Sequence, residues 1–269
     1  MDADEDDAAG QAIDVLAITG RFRAGVNLEL AARLAAWPPD FNHIQVHEVI
    51  GGMLARQATL IKGLADAPPI WTANSAPVIL RAIADVYINI AWLLLKPQER
   101  CLQFISFGLG QSKLELEHYR AEISSREVTP EETAMLGAQE AWIDSQRATF
   151  LQDVNLGNWS GTSVRKMAEE AGCVDFYNFV YTPFSACAHS MWHHIAKYNL
   201  VTCSNPLHRH HRRPTSAAAD PDIHYLLLAA KYWAKTLGTF DERTGIAVNR
   251  SAAYTQLVAE LTDPADADE

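Results

Sequence analysis

The chain has four cysteines in 269 residues, too few for a small disulfide-stapled scaffold, and none lies in a Cys-x-x-Cys spacing. Cys101, Cys173, Cys187 and Cys203 therefore read as reduced thiols of a cytoplasmic protein. Strand signals are scarce, no internal repeat is visible, and no Gly/Ser-rich linker divides the sequence. Twelve prolines and fourteen glycines are ordinary numbers, which excludes collagen-like and low-complexity classes. No long apolar run is unbroken. The longest, 76–95, is interrupted by Pro77, Arg81, Asp85 and Asn89, which argues against a membrane span. The N-terminus is acidic where a secretory leader would be basic and then apolar, so no signal peptide is expected.

Net charge is uneven along the chain. The formal value is −11, but residues 1–7 hold five acids and residues 262–269 hold four, with no Lys or Arg in either segment. Without those nine, 24 acids face 22 bases, and the body is close to neutral. Broad non-specific adhesion to nucleic acid is therefore not expected. The two acidic ends read as solvated tails. With 48% hydrophobic residues, the remainder is large enough for one core. The expected organisation is an acidic tail over 1–12, one helical domain over 13–262 and an acidic tail over 263–269.

The periodicity is helical throughout. Helices are predicted near 27–37, 40–64, 75–95, 97–121, 130–154 and 162–171, then over 174–181 and 183–199. A loop of some twenty residues, longer than ordinary connections, precedes a last pair near 222–240 and 251–261. The fold class expected is all-α, a single-domain antiparallel bundle of about eight to ten helices.

Two polar stripes stand out. Arg81, Asp85 and Asn89 recur every four residues and line one face of an otherwise apolar helix. Such a helix is normally buried, and burying Arg and Asp is costly unless they are paired and hydrogen-bonded. One reading has the pair satisfying itself. The other has it facing a cavity, with Arg81 receiving an anion and Asp85 holding Arg81 in place. Ser185, His189 and His193 repeat at the same step on the predicted 183–199 helix, with Trp192 alongside. His189 is placed to orient Ser185 or to act as a general base. A nucleophilic Ser185 is disfavoured, because both side chains lean toward the helix N-terminus and suit a hydrogen bond better than an in-line attack.

His43/His47 and His189/His193 have a spacing that can place two imidazoles on one metal, and Glu48, Glu115 and His118 add candidate donors. A ferritin-like centre needs two Glu-x-x-His motifs on facing helices, and one is present. No metal and no cofactor is expected. The helix start around Trp159, Ser163 and Arg165 offers free amides and a cation to an anion, although capping by Thr162 explains the same residues. The run His208-Arg209-His210-His211-Arg212-Arg213 is the one basic cluster. It suits phosphate, but without interleaved aromatics it reads rather as a solvated loop.

The segments LRAIADVYINIAWLL (80–94), WSGTSVRKMAEEAG (159–172) and YTPFSACAH (181–189) together resemble a family of bacterial helical proteins known as domain of unknown function 5677. The resemblance spans about residues 40–200. Its shared features map to Arg81 with Asp85, to Trp159, Gly161, Ser163 and Arg165, and to Ser185 with His189. Asp85 stands where a Glu is expected. The resemblance implies an all-helical fold and no particular activity. Its outline is similar to HEPN-type helical proteins, many of them ribonucleases of bacterial defence and toxin systems. Those enzymes carry Arg followed by His after four to six residues, and this chain has no such pair.

Two functions follow as expectations. In the first, the protein is a hydrolase or HEPN-like ribonuclease, or a defence or toxin effector, whose catalytic set is Arg81, Asp85, Ser185 and His189. Arg81 would bind phosphate and His189 would move the proton. In the second, it is a non-catalytic ligand-sensing or protein-interaction module built on the same residues. Candidate partners are RNA, a small anionic ligand or a second copy of the chain. No membrane contact is expected.

Overall fold

The computed structural model describes residues 14–150, 160–216, 219–248 and 252–262, the side chains of 148–150 excepted. The two acidic ends and Trp159 lie outside the described residues. The fold is an all-α bundle with one small hairpin. Helices α1 (Val15–Ala36), α2 (Ile44–Ala65), α3 (Ala76–Leu93), α4 (Pro97–Ile123) and α5 (Pro130–Phe150) come first. After α6 (Val164–Glu170), a short α7 (Val174–Phe176) runs through a π-helical turn (Tyr177–Tyr181) into α8 (Thr182–Ala188). Then come α9 (Trp192–Tyr198), strands β1 (Leu200–Thr202) and β2 (Arg212–Pro214), α10 (His224–Thr244) and α11 (Ala253–Thr262).

Helix α3 is the centre of the bundle, packed by α2, α6, α8 and α10. Leu80, Ile83, Ala84, Ile88, Ile90 and Leu93 are fully buried. Each of the large ones contributes about 1.5–3 kcal/mol of burial, which outweighs the modest helix propensity of the β-branched residues among them. Pro77 sits at the start, where its missing N–H costs no helical bond. Among the described residues, α3 is the helix long and apolar enough to cross a membrane, with a mean hydropathy of 1.4. Its surroundings explain that composition: most of it is covered by other helices.

Several boundaries differ from the sequence reading. The first helix begins at Val15, capped by the Asp14 side chain, which accepts from the N–H groups of Leu16 and Ala17. Asn27, at the expected start of this helix, lies mid-helix and accepts from Lys62 Nζ. The predicted helix 183–199 is two helices. α8 ends in a Schellman turn, in which Ser190 N–H bonds the Cys187 carbonyl and Met191 N–H bonds the Ala186 carbonyl. Ser190 takes the left-handed conformation (φ 48°) that this turn requires. Pro183, the first residue of the expected helix, lies inside a continuous helical run. A proline there excludes the carbonyl four residues back, and the preceding turn widens so that Thr182 N–H reaches the Tyr177 carbonyl.

A buried polar tie joins α1 to α10. Trp233 Nε1 donates to Glu29 at 2.8 Å, and Arg33 makes a two-pronged contact with Asp241 at 2.8 and 2.6 Å. Gly25 lets α11 approach closely: a Cβ there would lie 3.0 Å from that of Ala253.

Candidate functional site

The π turn and α8 bring Tyr181 and Ser185 against the polar face of α3. Arg81 Nε donates to Ser185 Oγ at 2.6 Å, and its Nη1 pairs with Asp85 one helical turn along. The guanidinium lies over the Tyr181 ring, 3.3 Å from the centroid. Ser185 Oγ in turn donates to the Tyr181 carbonyl at 2.9 Å. The Tyr181 hydroxyl closes the circuit on the Asp85 carboxylate. Burial raises the Asp85 pKa, and Arg81 and Tyr181 pull the other way without cancelling it. Burial and then the Asp85 charge push the Tyr181 phenol up to about 12.

This cluster sits at the edge of the core. The Asp85 side chain remains 38% exposed and that of Arg81 13%. The structure thus brings together Arg81, Asp85 and Ser185 but not His189. His189 ends α8, its N–H bonding the Ser185 carbonyl at 3.0 Å, but its ring is exposed and makes no side-chain hydrogen bond to Ser185 or Arg81. Because α8 stops there, His193 is no longer one turn further along the same face. The Ser185 hydroxyl, donating to one partner and accepting from another, acts as a strut between α8 and α3. Among the described residues, its proton goes to the Tyr181 carbonyl rather than to a side-chain base.

The other proposed anion site is also occupied by internal contacts. Ser163 caps α6 by accepting from Lys166 N–H, and exposed Arg165 pairs with Glu169. Trp159 lies outside the described residues. The histidine pairs are used singly: His43 bonds Asp40 at 2.9 Å and the His47 ring packs on Trp37. Among the described residues, the side chains whose donor atoms converge as metal ligands are Cys203, His208 and His211.

Sequence reasoning missed a cavity of about 650 Å³ between α8, α9 and the start of α10, of which Ser185 and Tyr181 form one wall. Tyr177, Tyr198 and Tyr225 give it flat apolar walls, and His193, His194 and Lys197 line it from α9. Among the described residues no carboxylate lines it. His194 bonds Asn74 at 3.1 Å. Desolvation, and then the nearby His193 and Lys197, lower its pKa, so the ring is neutral at neutral pH. On the other side of α9, Trp192 shares a second cleft with Arg209, His210 and Arg212 of the hairpin. Trp192 is 71% exposed, and it supplies the aromatic that the basic cluster lacks in sequence. The only advance signal for the first cavity was the clustering of Tyr and His between 177 and 198.

The fold and the tie at the α3–α8 crossing define a helical bundle with a rigid polar junction beside a cavity. The family of unknown function DUF5677 has a model that matches residues 47–206, more than half of the chain, and the chain belongs to that family. That stretch carries the whole Arg81 cluster. Neither a curated protein nor a solved structure matches the chain.

Proposed function

We propose that the protein is a ligand-binding module whose cavity beside Ser185 takes a compact anion with a planar ring, such as a nucleotide. The observation that supports this is the composition of the wall: Lys197 and two histidines among tyrosine rings, with no carboxylate. A volume of about 650 Å³ is ordinary for a small-molecule site. The Arg81 tie has a role in this reading without touching ligand. It fixes the π turn and α8, and so holds the Tyr181 and Ser185 wall in one geometry before binding, which lowers the ordering cost of the complex.

Calorimetric titration with adenosine and uridine monophosphates, beside their uncharged nucleosides, tests this. The monophosphates are expected to bind at least about tenfold more tightly than the nucleosides, and Lys197→Glu to remove that preference. No saturable binding of either monophosphate, or equal binding by Lys197→Glu, would overturn the reading. A second reading, a strand of RNA continuing past α9, is favoured by Trp192 in its cleft with Arg209 and Arg212. Stacking of a base on Trp192 would contribute about 1–3 kcal/mol. Trp192→Ala would then weaken an oligouridylate without changing the affinity for uridine monophosphate.

A further inference from the structure

We propose that the β1–β2 hairpin is a zinc site formed by Cys203, His208 and His211. The register pairs Thr202 with Arg212, and the next hydrogen bond, Cys203 N–H to the His211 carbonyl at 3.0 Å, sets Cys203 and His211 opposite each other. Two successive turns fold His208 back over this pair. In them His208 N–H bonds the Asn205 carbonyl and His211 N–H bonds that of His208, both at 3.0 Å. The thiol and the two imidazoles therefore converge, with one donor atom from each within 4.8 Å of the others.

The distances suit a metal. With Zn–S about 2.3 Å and Zn–N about 2.0 Å, tetrahedral coordination sets S and N roughly 3.5 Å apart. Cys203 Sγ and His208 Nδ1 are 3.7 Å apart. One thiolate with two imidazoles is a borderline-soft set that favours zinc over magnesium or calcium, which take oxygen donors. Binding displaces the Cys203 proton to solvent and involves no redox change.

A second observation points the same way. The hairpin has almost nothing of its own to hold it: Val201 is 42% and Leu207 87% exposed, and every residue of β2 is exposed. Its visible anchors are Arg212 Nη1 to the Ala196 carbonyl at 3.2 Å and Thr215 N–H to the Asn199 carbonyl at 2.9 Å. A two-stranded hairpin is marginal in water, and a metal clip stabilises such a unit. Three protein ligands leave a fourth position open, and His211 also lines the cleft shared by Trp192 and Arg209. The open position is thus beside the surface where an anionic oxygen would arrive. The inference does not depend on the function proposed above. Cys203 lies within the segment matched by the family, and His208 and His211 fall beyond it.

The full chain, reduced, loaded with zinc sulfate and dialysed against metal-free buffer, is expected to retain about one zinc per chain by plasma mass spectrometry. Cobalt substitution is expected to give a thiolate-to-cobalt charge-transfer band and the intense visible bands of a tetrahedral centre. Cys203→Ala and His208→Ala should each weaken zinc binding by at least about tenfold in a competition titration against a chromogenic chelator. His210→Ala, which changes a neighbouring ring outside the cluster, should bind like the parent. Circular dichroism of each variant checks that the bundle is intact. Zinc lost on dialysis from the folded parent, or retained equally by Cys203→Ala, would overturn the proposal.

Discussion

Replacing Arg81 by Ala tests the tie between α3 and α8, and its cost follows from the contacts. The bond from a charged Nε to the neutral Ser185 hydroxyl is worth about 1.5–3 kcal/mol. Stacking of the guanidinium on Tyr181 adds about 1 kcal/mol. The ion pair with Asp85 adds least. The Asp85 side chain is 38% exposed, so water screens the pair and rehydrates the carboxylate left behind. That limits this contribution to about 1 kcal/mol or less, against the roughly 3–5 kcal/mol lost when a wholly buried pair is broken. One guanidinium makes all three contacts, and Ser185 keeps its bond to the Tyr181 carbonyl, so the sum is an upper bound. The expected loss is about 3 kcal/mol, or a Tm lower by roughly 6–12 °C. Urea unfolding should show a lower midpoint at unchanged slope. Asp85→Asn discriminates between the contacts: it should cost about a third as much, because it spares the Ser185 bond and the stack. An Arg81→Ala variant within about 0.5 kcal/mol of the parent, or an Asp85→Asn variant equally damaged, would refute this account.

Two further substitutions test other parts of the fold. Burial raises the Glu29 pKa above 4.5, outweighing the bonds from Trp233 and the Ala253 N–H and the Arg33 charge. The folded protein then holds a proton that the unfolded chain has released. Stability should therefore fall as pH rises from 4.5 to the raised folded value, and stay low above it. Glu29→Gln keeps an acceptor for Trp233 and should remove that slope in urea midpoints measured across the range; a parent-like slope would show that another group titrates. At Ser190, glycine removes the left-handed strain at φ 48° and should stabilise by about 0.5–1 kcal/mol, and valine should destabilise. Equal midpoints for the two variants would show that the turn is not strained.

Helix identity was legible wherever a long periodic stretch ended in proline. Pro38-Pro39, Pro68-Pro69, Pro97 and Pro130 mark breaks or starts, and the helix ends beside them lie within a few residues of their expected bounds, whereas α1, expected from 27, begins at Val15, far from any proline. Reading failed where a tertiary contact or an unmarked conformation decides. Nothing in the spacing of 183–199 shows that Ser190 adopts a left-handed turn normally given to glycine. Pro183 looks like a start because proline usually is one, and the π turn that accommodates it leaves no compositional trace. The hydrogen-bonded Glu29 and the salt-bridged Arg33 were overlooked because their partners, Trp233 and Asp241, are some two hundred residues away.

The site divides along the same line. Arg81 with Asp85 could be read because both lie on one helix and their spacing alone makes them neighbours. Ser185 joined them by resemblance of the segments, and the structure places it against Arg81. His189 was included on the assumption that a four-residue step means a shared face, which holds only while the helix continues. Once Ser190 ends α8, the step carries no such meaning, and the rings that line the cavity are those of α9, His193 and His194. A cavity formed by the end of one helix, the start of the next and Tyr225 from a third has no period in sequence. The same break that removes His189 from the junction turns α9 so that Lys197 faces one cleft and Trp192 the other. The two clefts that flank α9 therefore depend on the left-handed turn at Ser190.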